Sequence, residues 1–599
     1  MYIPAELQLS EGFIDACLNA GKHEEGPNTY LSSSSWWSGE RPIDKAAETS
    51  SANDVPPNTP PLTDKYPFPH SDFFPYRTPC IYKSGSQWPT HGPLGERLIR
   101  EPRPVYDHPI QSTWISIGTS ICDELESHGI LWTSVNAFAY ANAGDPKSFC
   151  PLIICVGVIP SSLSYDAAID SAALVKKILA ESGFPEIEVA FIESLMTRSS
   201  SSGSSSGSPP KLLSFHPLIN NVPHLRKPFT PTLGLSIASR TNPFCEGTGA
   251  FYFRLPGDDD RIALLTCAHV ARPPPLYSNA SIAGTNCQRR EEIVAPGFWG
   301  FDNAVSAMLS TVGEHLYNID AWNDAVVRLG EAKEGEDEEV VDKRKEYLDS
   351  IKKAVKEIRR VKALHADITE NFTTLDQRVI GFVLRSESIE DSVEPYQFPN
   401  DWALIELYKD KIDWKTFTGN KVWIGGNISP TQYANTLFPH PQDRKSYKYP
   451  QDGLLQAFNF LRADELNNPH HLDAHGNKCI LVVKNGLGTG TTIGALNGLE
   501  SFTYSRSSAG STSTSNVAPS RKALEFAVLP HDNTRTFSEA GDSGSIVLDR
   551  EGRVVGMVTG ASGSLEEDEA SVSYVTPYWW ILEQMEEKFP GIELYEAVN

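Results

Sequence analysis

EAGDSGSIVLDREGRVVGMVTG, residues 539–560, is the stretch whose reading decides the fold. Gly541 and Gly544 flank Asp542 and Ser543, so the backbone is free to turn sharply around one hydroxyl. Two apolar runs follow, SIVLD and VVGMVTG, split by the polar REGR. That is the pattern of a strand hairpin.

The same texture extends in both directions. GAFYFRL (249–255), RIALLTCA (261–268), RVIGFVLRS (378–386), DWALIEL (401–407), KCILVVKNG (478–486), ALEFAVL (523–529) and SVSYVTP (571–577) are short apolar runs between turn residues. They predict a mainly β sandwich or barrel, closed by a C-terminal helix at WWILEQMEEKF. One block breaks the pattern. Val305, Leu309, Val312, Leu316 and Ile319, then Val341, Leu348, Ile351, Val355 and Ile358, recur at helical spacing around the polar KEGEDE. They predict an antiparallel helical hairpin inserted over about 300–376. Two readings stay open: a packed decoration with a charged face, or a docking arm for a protein partner.

Upstream, SSSSGSSSGSPP (199–210) reads as a flexible linker within 198–213. Before it, PLIICVGVIP, DAAIDSAALVKKILAESG and EIEVAFIES give strand, helix and strand. Residues 71–197 therefore predict a small α/β domain of unassigned role, ahead of a 214–599 domain. Residues 1–70, rich in Ser, Pro and Asn, predict disorder.

Composition bounds the function. The chain has 599 residues and a formal net charge of -24, which disfavours phosphate backbones and anionic lipid. Neither a nucleic-acid nor a membrane partner is expected. Nine scattered cysteines without a C-x-x-C pair suit a reducing compartment. No basic start with an apolar run is seen at the N-terminus, so the expectation is cytoplasmic, with the nucleus left open. No cofactor or metal is expected. His470, His471 and His475 read as a solvated loop, and Cys267 as a buried structural thiol.

Three local patterns carry chemistry together. They are ALLTCAHVA with His269 after a strand, NDWALIEL with Asp401 before one, and the Ser543 turn. A serine hydroxyl needs a base to become a nucleophile. An imidazole can take that proton and return it to a leaving amine, if a carboxylate holds its other nitrogen. The Gly541 and Ser543 amides could meet a developing oxyanion, each donor worth roughly 3 kcal/mol.

T-x-A-H, D-x-A-L and G-D-S-G in this order resemble the chymotrypsin-like (trypsin-fold) serine peptidases over about 230–590. The likeness is greater to HtrA-like and glutamyl-endopeptidase-like branches than to secreted trypsins, because Val270 rather than Cys follows His269. The resemblance implies two six-stranded barrels with the site between them. It implies His269, Asp401 and Ser543 as a triad and Gly541 and Ser543 as an oxyanion hole. It also implies a substrate pocket at Phe537, Ser538, Thr559, Gly560 and Ala561. Phe537 stands where trypsin has its acid, so the resemblance implies no preference for basic side chains unless Glu539 reaches the pocket. VVKNGLGTGTTIGALNGL (482–499) resembles a glycine-rich stretch of intracellular and bacterial members. Asp542 matches the residue that binds a new N-terminus in secreted zymogens, and its partner here is left open. The expected activity is endopeptidase action on protein or peptide substrates. The rival readings are a silent regulatory or scaffold protein of this fold, and a signalling protease restrained by its N-terminal region.

Overall fold

The computed structural model describes residues 1–20, 66, 80–89, 91–92, 98–197, 211–257, 261–273, 281–283, 290–333, 335–505, 521–531, 536–563 and 570–595. It is a mixed α/β protein built mainly on two antiparallel-rich sheets.

The N-terminus departs from expectation. Glu11–Ala20 forms a helix, α1, which lies against the inserted hairpin. Cys17 is fully buried there. A Cβ on Gly313 of the hairpin would sit 2.4 Å from the Cys17 carbonyl oxygen, so glycine permits the approach. Arg359 pairs with Glu6 at 2.7 Å, and Lys362 donates to the Gln8 carbonyl at 2.8 Å. The disorder expected for 1–70 is therefore corrected at 1–20: apolar Leu7, Phe13, Ile14 and Cys17 find a helical surface to cover. Residues 21–65 and 67–70 of that expectation, and the linker at 198–210, lie outside the described residues.

The next unit holds β1 (Cys80–Lys83), β2 (Arg100–Arg103), α2 (Trp114–Ser127), β3 (Trp132–Asn142), β4 (Cys150–Val158), α3 (Tyr165–Glu181), β5 (Glu188–Glu193) and β6 (Leu195–Thr197). β4, α3 and β5 make a parallel crossover unit, with Ser164 capping α3 through the Ala167 amide. This unit has no sheet of its own. β3 pairs with a strand of the C-terminal region, Val135 opposite Phe502 and Ser134 opposite Thr503. β6 also pairs across, as described below. One apolar cluster joins Val135, Ile154 and Val189 to Val482, Leu496, Val528 and Trp580. The expected strand–helix–strand is present as β4, α3 and β5, and its strands lie in one sheet with those of the C-terminal region. The sharing gave no signal because a strand edge's partner leaves no mark in local periodicity.

The first C-terminal sheet contains β7 (Leu235–Ser239), β8 (Glu246–Gly249), β9 (Tyr252–Arg254), β10 (Ile262–Thr266), β11 (Ile282–Ala283), β12 (Glu292–Val294) and β13 (Val379–Ser386). A side hairpin follows, β14 (Glu390–Val393) and β15 (Phe398–Asn400), then β16 (Ala403–Leu407). A two-stranded pair, β17 (Lys421–Trp423) and β18 (Leu454–Gln456), leads to the second sheet. That sheet holds β19 (Ile480–Gly486), β20 (Gly490–Ser505), β21 (Arg521–Pro530), β22 (Ile546–Asp549), β23 (Val554–Gly563) and β24 (Ala570–Pro577). β25 (Glu593–Leu594) returns to β9 of the first sheet. The first sheet curls, because the chain past β8 bonds back to β10 through Ala250 N to Leu265 O and Leu265 N to Phe251 O, both 2.8 Å. In the second, β20 pairs with β21 as well as β19, so β19–β24 form a closed circuit of neighbours. The N-terminal strands extend from that circuit, so the 12-stranded sheet as a whole is not a barrel.

The short helix α4 (Ala268–Ala271) follows β10. The insertion lies between β12 and β13 as α5 (Phe298–Leu329) and α6 (Glu338–Asn371). Both helices bury residues toward their bases, Met308, Val312 and Leu316 against Val355, Ile358 and Val361. Glu246 of β8 anchors the insertion by accepting from the Trp299 and Gly300 amides at the start of α5 and from Ser236 Oγ. Among the described residues no helix is long and apolar enough to cross a membrane.

Burial, more than any partner, lifts the Glu246 carboxyl from 4.5 to about 7. The folded chain then holds a proton that the unfolded chain has released, so this group's stability is full below pH 4.5 and is lost as pH rises through 7. Urea midpoints taken across that range should fall with rising pH in the wild type. Glu246→Gln should flatten that part of the profile.

Candidate active site

β10 and β16 run antiparallel, Thr266 opposite Ala403. Continuing past that pair brings the turn at 267–269 beside 401. The result is a doubly held imidazole: His269 Nδ1 lies 2.7 Å from Asp401 Oδ2, and the His269 amide donates to Asp401 Oδ1 at 3.1 Å. His269 and Asp401 are 2% and 3% exposed, so water competes little for this pair. His269 Nε2 is buried and has no hydrogen-bond partner among the described residues. With Nδ1 engaged by a carboxylate, Nε2 is the nitrogen left to accept a proton.

Ser543 reaches the same place from the second sheet. Val558 of β23 is the meeting point: its carbonyl accepts from the Gly544 amide at 2.7 Å and from Cys267 Sγ at 3.4 Å. One neighbour of Ser543 and one of His269 thus rest on a single oxygen. β8 supplies a second bridge, since the Thr248 amide donates to Ser543 O and Thr248 Oγ1 donates to Gly541 O, each at 2.8 Å. Gly544 has φ +89°, and a Cβ there would lie 2.1 Å from Thr248 O, so only glycine fits. Ser543 itself is part-exposed. Its Oγ donates weakly to Thr559 O at 3.5 Å and not to His269. Gly541 adopts φ +94°, and neither its amide nor that of Ser543 donates a hydrogen bond among the described residues. Two free amides beside a hydroxyl can meet an anionic oxygen.

Asp542 shows how the turn is held. Its carboxylate accepts from Lys484 Nζ (2.8 Å), Thr489 Oγ1 (2.8 Å), and the Gly488 (2.8 Å) and Glu539 (3.1 Å) amides. Both charged side chains are fully buried. Asp542, whose partner the sequence left open, pairs with an internal lysine. Lys484 belongs to VVKNGLGTG, the start of the glycine-rich stretch at 482–499 to which sequence reading assigned no role. Burial pushes the Lys484 ammonium down, opposed by the Asp542 charge. Lys227 lies in the same buried region, donating to Asn485 Oδ1 and Gly234 O at 2.7 Å. Burial, then Lys484, lowers its pKa to about 7.

The expected pocket residues come together, and all are buried. Phe537 is 1% exposed and its carbonyl accepts from Thr492 Oγ1 at 2.6 Å. Ser538 Oγ donates to Ser573 Oγ at 2.6 Å. Thr559 Oγ1 donates to Glu525, a fully buried acid that also accepts from Thr503 Oγ1 at 2.9 Å. Gly560 and Ala561 pair with Tyr574 and Ser573 of β24. Glu539 accepts from Thr536 Oγ1 at 2.7 Å. Glu525 was missed in the sequence, where ALEFAVL reads only as an apolar strand.

Cys267, His269 and Asp401 also form a group whose ligand atoms lie within 4.8 Å of one another. Nδ1 of the histidine is taken by Asp401 and the thiol donates to Val558.

Lys484→Met should leave the Asp542 charge buried without its cation. Removing one member of such a pair costs about 3–5 kcal/mol, readable in denaturant unfolding. Lys484→Arg should recover part of that loss. No family model matches the chain, and no curated protein matches it.

Proposed function

We propose that the protein is a serine endopeptidase of the trypsin-like fold, acting on protein or peptide substrates. The observation that carries the reading is the buried His269–Asp401 pair, with Nε2 left open beside the Ser543 turn. The curled first sheet and the β19–β24 circuit support a two-barrel arrangement, with the triad at its seam.

In this reading Ser543 Oγ rotates from Thr559 O toward His269, a rotamer change of small cost. It attacks the peptide carbonyl carbon while its proton passes to Nε2. Asp401 holds the Nδ1 proton and stabilises the imidazolium. The carbonyl oxygen, now an anion, takes the Gly541 and Ser543 amides. His269 then gives its proton to the departing amine, and the C–N bond breaks to leave an acyl-enzyme. Water, deprotonated by His269, releases the acid and restores the serine. No metal or cofactor enters these steps.

A second reading, a silent or restrained member of the fold, is favoured by two observations. Phe537, Ser538, Thr559, Gly560 and Ala561 are all buried, and Ser543 Oγ faces Thr559 rather than His269.

A fluorophosphonate probe should label wild-type protein and not Ser543→Ala. Asp401→Asn should slow labelling by about 10⁴-fold, the effect of a wrongly held imidazole. Equal labelling of Ser543→Ala and wild type would sink the peptidase reading.

A further inference from the structure

Beside Ser543, β23 has one edge that its own hairpin does not use. At Ala561–Gly563, β24 takes one side, with Ala561 opposite Ser573 and Ser562 opposite Val572. β22 takes the other side only as far as Met557. Past that point the open side is filled from the N-terminal unit. β6 runs antiparallel to it, Thr197 opposite Ala561, Met196 opposite Ser562 and Leu195 opposite Gly563. This register has a direction. As β6 advances from Leu195 to Thr197, it moves along β23 toward Thr559, whose carbonyl lies 3.5 Å from Ser543 Oγ.

We propose that Leu195–Thr197 occupies the strand position that an extended peptide must take to reach Ser543, so the N-terminal unit competes in cis with substrate. The proposal rests on the peptidase reading and names the regulation of that same site. A strand edge offers one row of N–H and C=O groups, and only one partner can use it. An extended peptide whose carbonyl met Ser543 would lie along Ala561–Gly563 and need those groups. β6 is held there at its start, through Ser194. The Ser194 amide donates to Val158 O at 2.9 Å, and Thr133 Oγ1 donates to Ser194 O at 3.2 Å. On the far side of β23, Tyr574 OH of β24 donates to Asn136 Oδ1 of β3 at 3.3 Å. β3 in turn is laced to β20. The occupant is therefore part of a docked body, and displacing it means lifting three residues, not dissolving the unit. That small scale is what makes the strand exchangeable.

The test uses full-length protein and a triple variant, Leu195→Pro, Met196→Pro and Thr197→Pro, which removes every β6 N–H. A second variant, Met196→Cys with Ser562→Cys, joins a facing pair so that oxidation locks β6 in place. Fluorophosphonate reads Ser543 alone, and a library of fluorogenic extended peptides reads the edge. Freeing a site from an internal competitor raises apparent affinity by the inverse of its open fraction. The triple variant should hydrolyse peptides at least about 10-fold faster than wild type, with fluorophosphonate labelling within about 2-fold. The oxidised double variant should lose peptide hydrolysis and regain it on reduction. Peptide rates in the triple variant no higher than wild type, with labelling intact, would overturn the proposal. If fluorophosphonate labels neither protein, the peptidase reading falls, and strand competition is read by binding alone. A fluorescein-labelled peptide of residues 190–197 should then bind the triple variant and not wild type. Equal binding to both would overturn strand competition. Thermal unfolding of each variant shows that the fold persists.

Discussion

A buried ion pair, Lys484 with Asp542, underlies the arrangement around Ser543. A carboxylate with no exposed surface is tolerated only when cations and donors surround it. Asp542 meets that condition with one ammonium, one hydroxyl and backbone amides from two loops. Those donors come from the end of β19, the turn before β20 and the loop before Ser543. Satisfying one charge therefore fixes three segments relative to one another. The left-handed Gly541, and the direction of the two amides beside it, follow from that constraint. The cation that balances the turn comes from the same chain.

A second constraint joins the two sheets. The Val558 carbonyl carries both the Gly544 amide and the Cys267 thiol. The β10–β16 register carries His269 to Asp401. Neither sheet alone holds the full constellation. The imidazole and its carboxylate belong to the first, the hydroxyl and the amides beside it to the second, and Thr248 stitches the seam.

Much of this was written locally in the chain. The strands around His269, Asp401 and Ser543 announced themselves by short apolar runs and glycine turns, and the long helices by their spacing. Local pattern also placed the three site residues near the ends of strands. What it could not carry was strand pairing. Val135 and Phe502 look like ordinary strand residues, so nothing marked them as neighbours. The same holds for Leu195–Thr197 on β23, so the sharing of one sheet by the two regions was not legible. Glu525 and Lys484 were hidden for a related reason. A buried charge is defined by the partners around it, and these lie on other segments. The first 20 residues misled by composition: the polar chain that follows masked a short amphipathic helix.

The seam between β3 and β20 also bears on how the chain is made. Asn497 donates to the Ala137 carbonyl across 360 positions of sequence. A ribosome adding about 5–20 residues per second would need roughly 20–70 s to deliver the second strand after the first. During that interval β3 has an open edge, and such edges recruit other chains. A nascent chain of this protein is therefore expected to depend on chaperone shielding until β20 emerges.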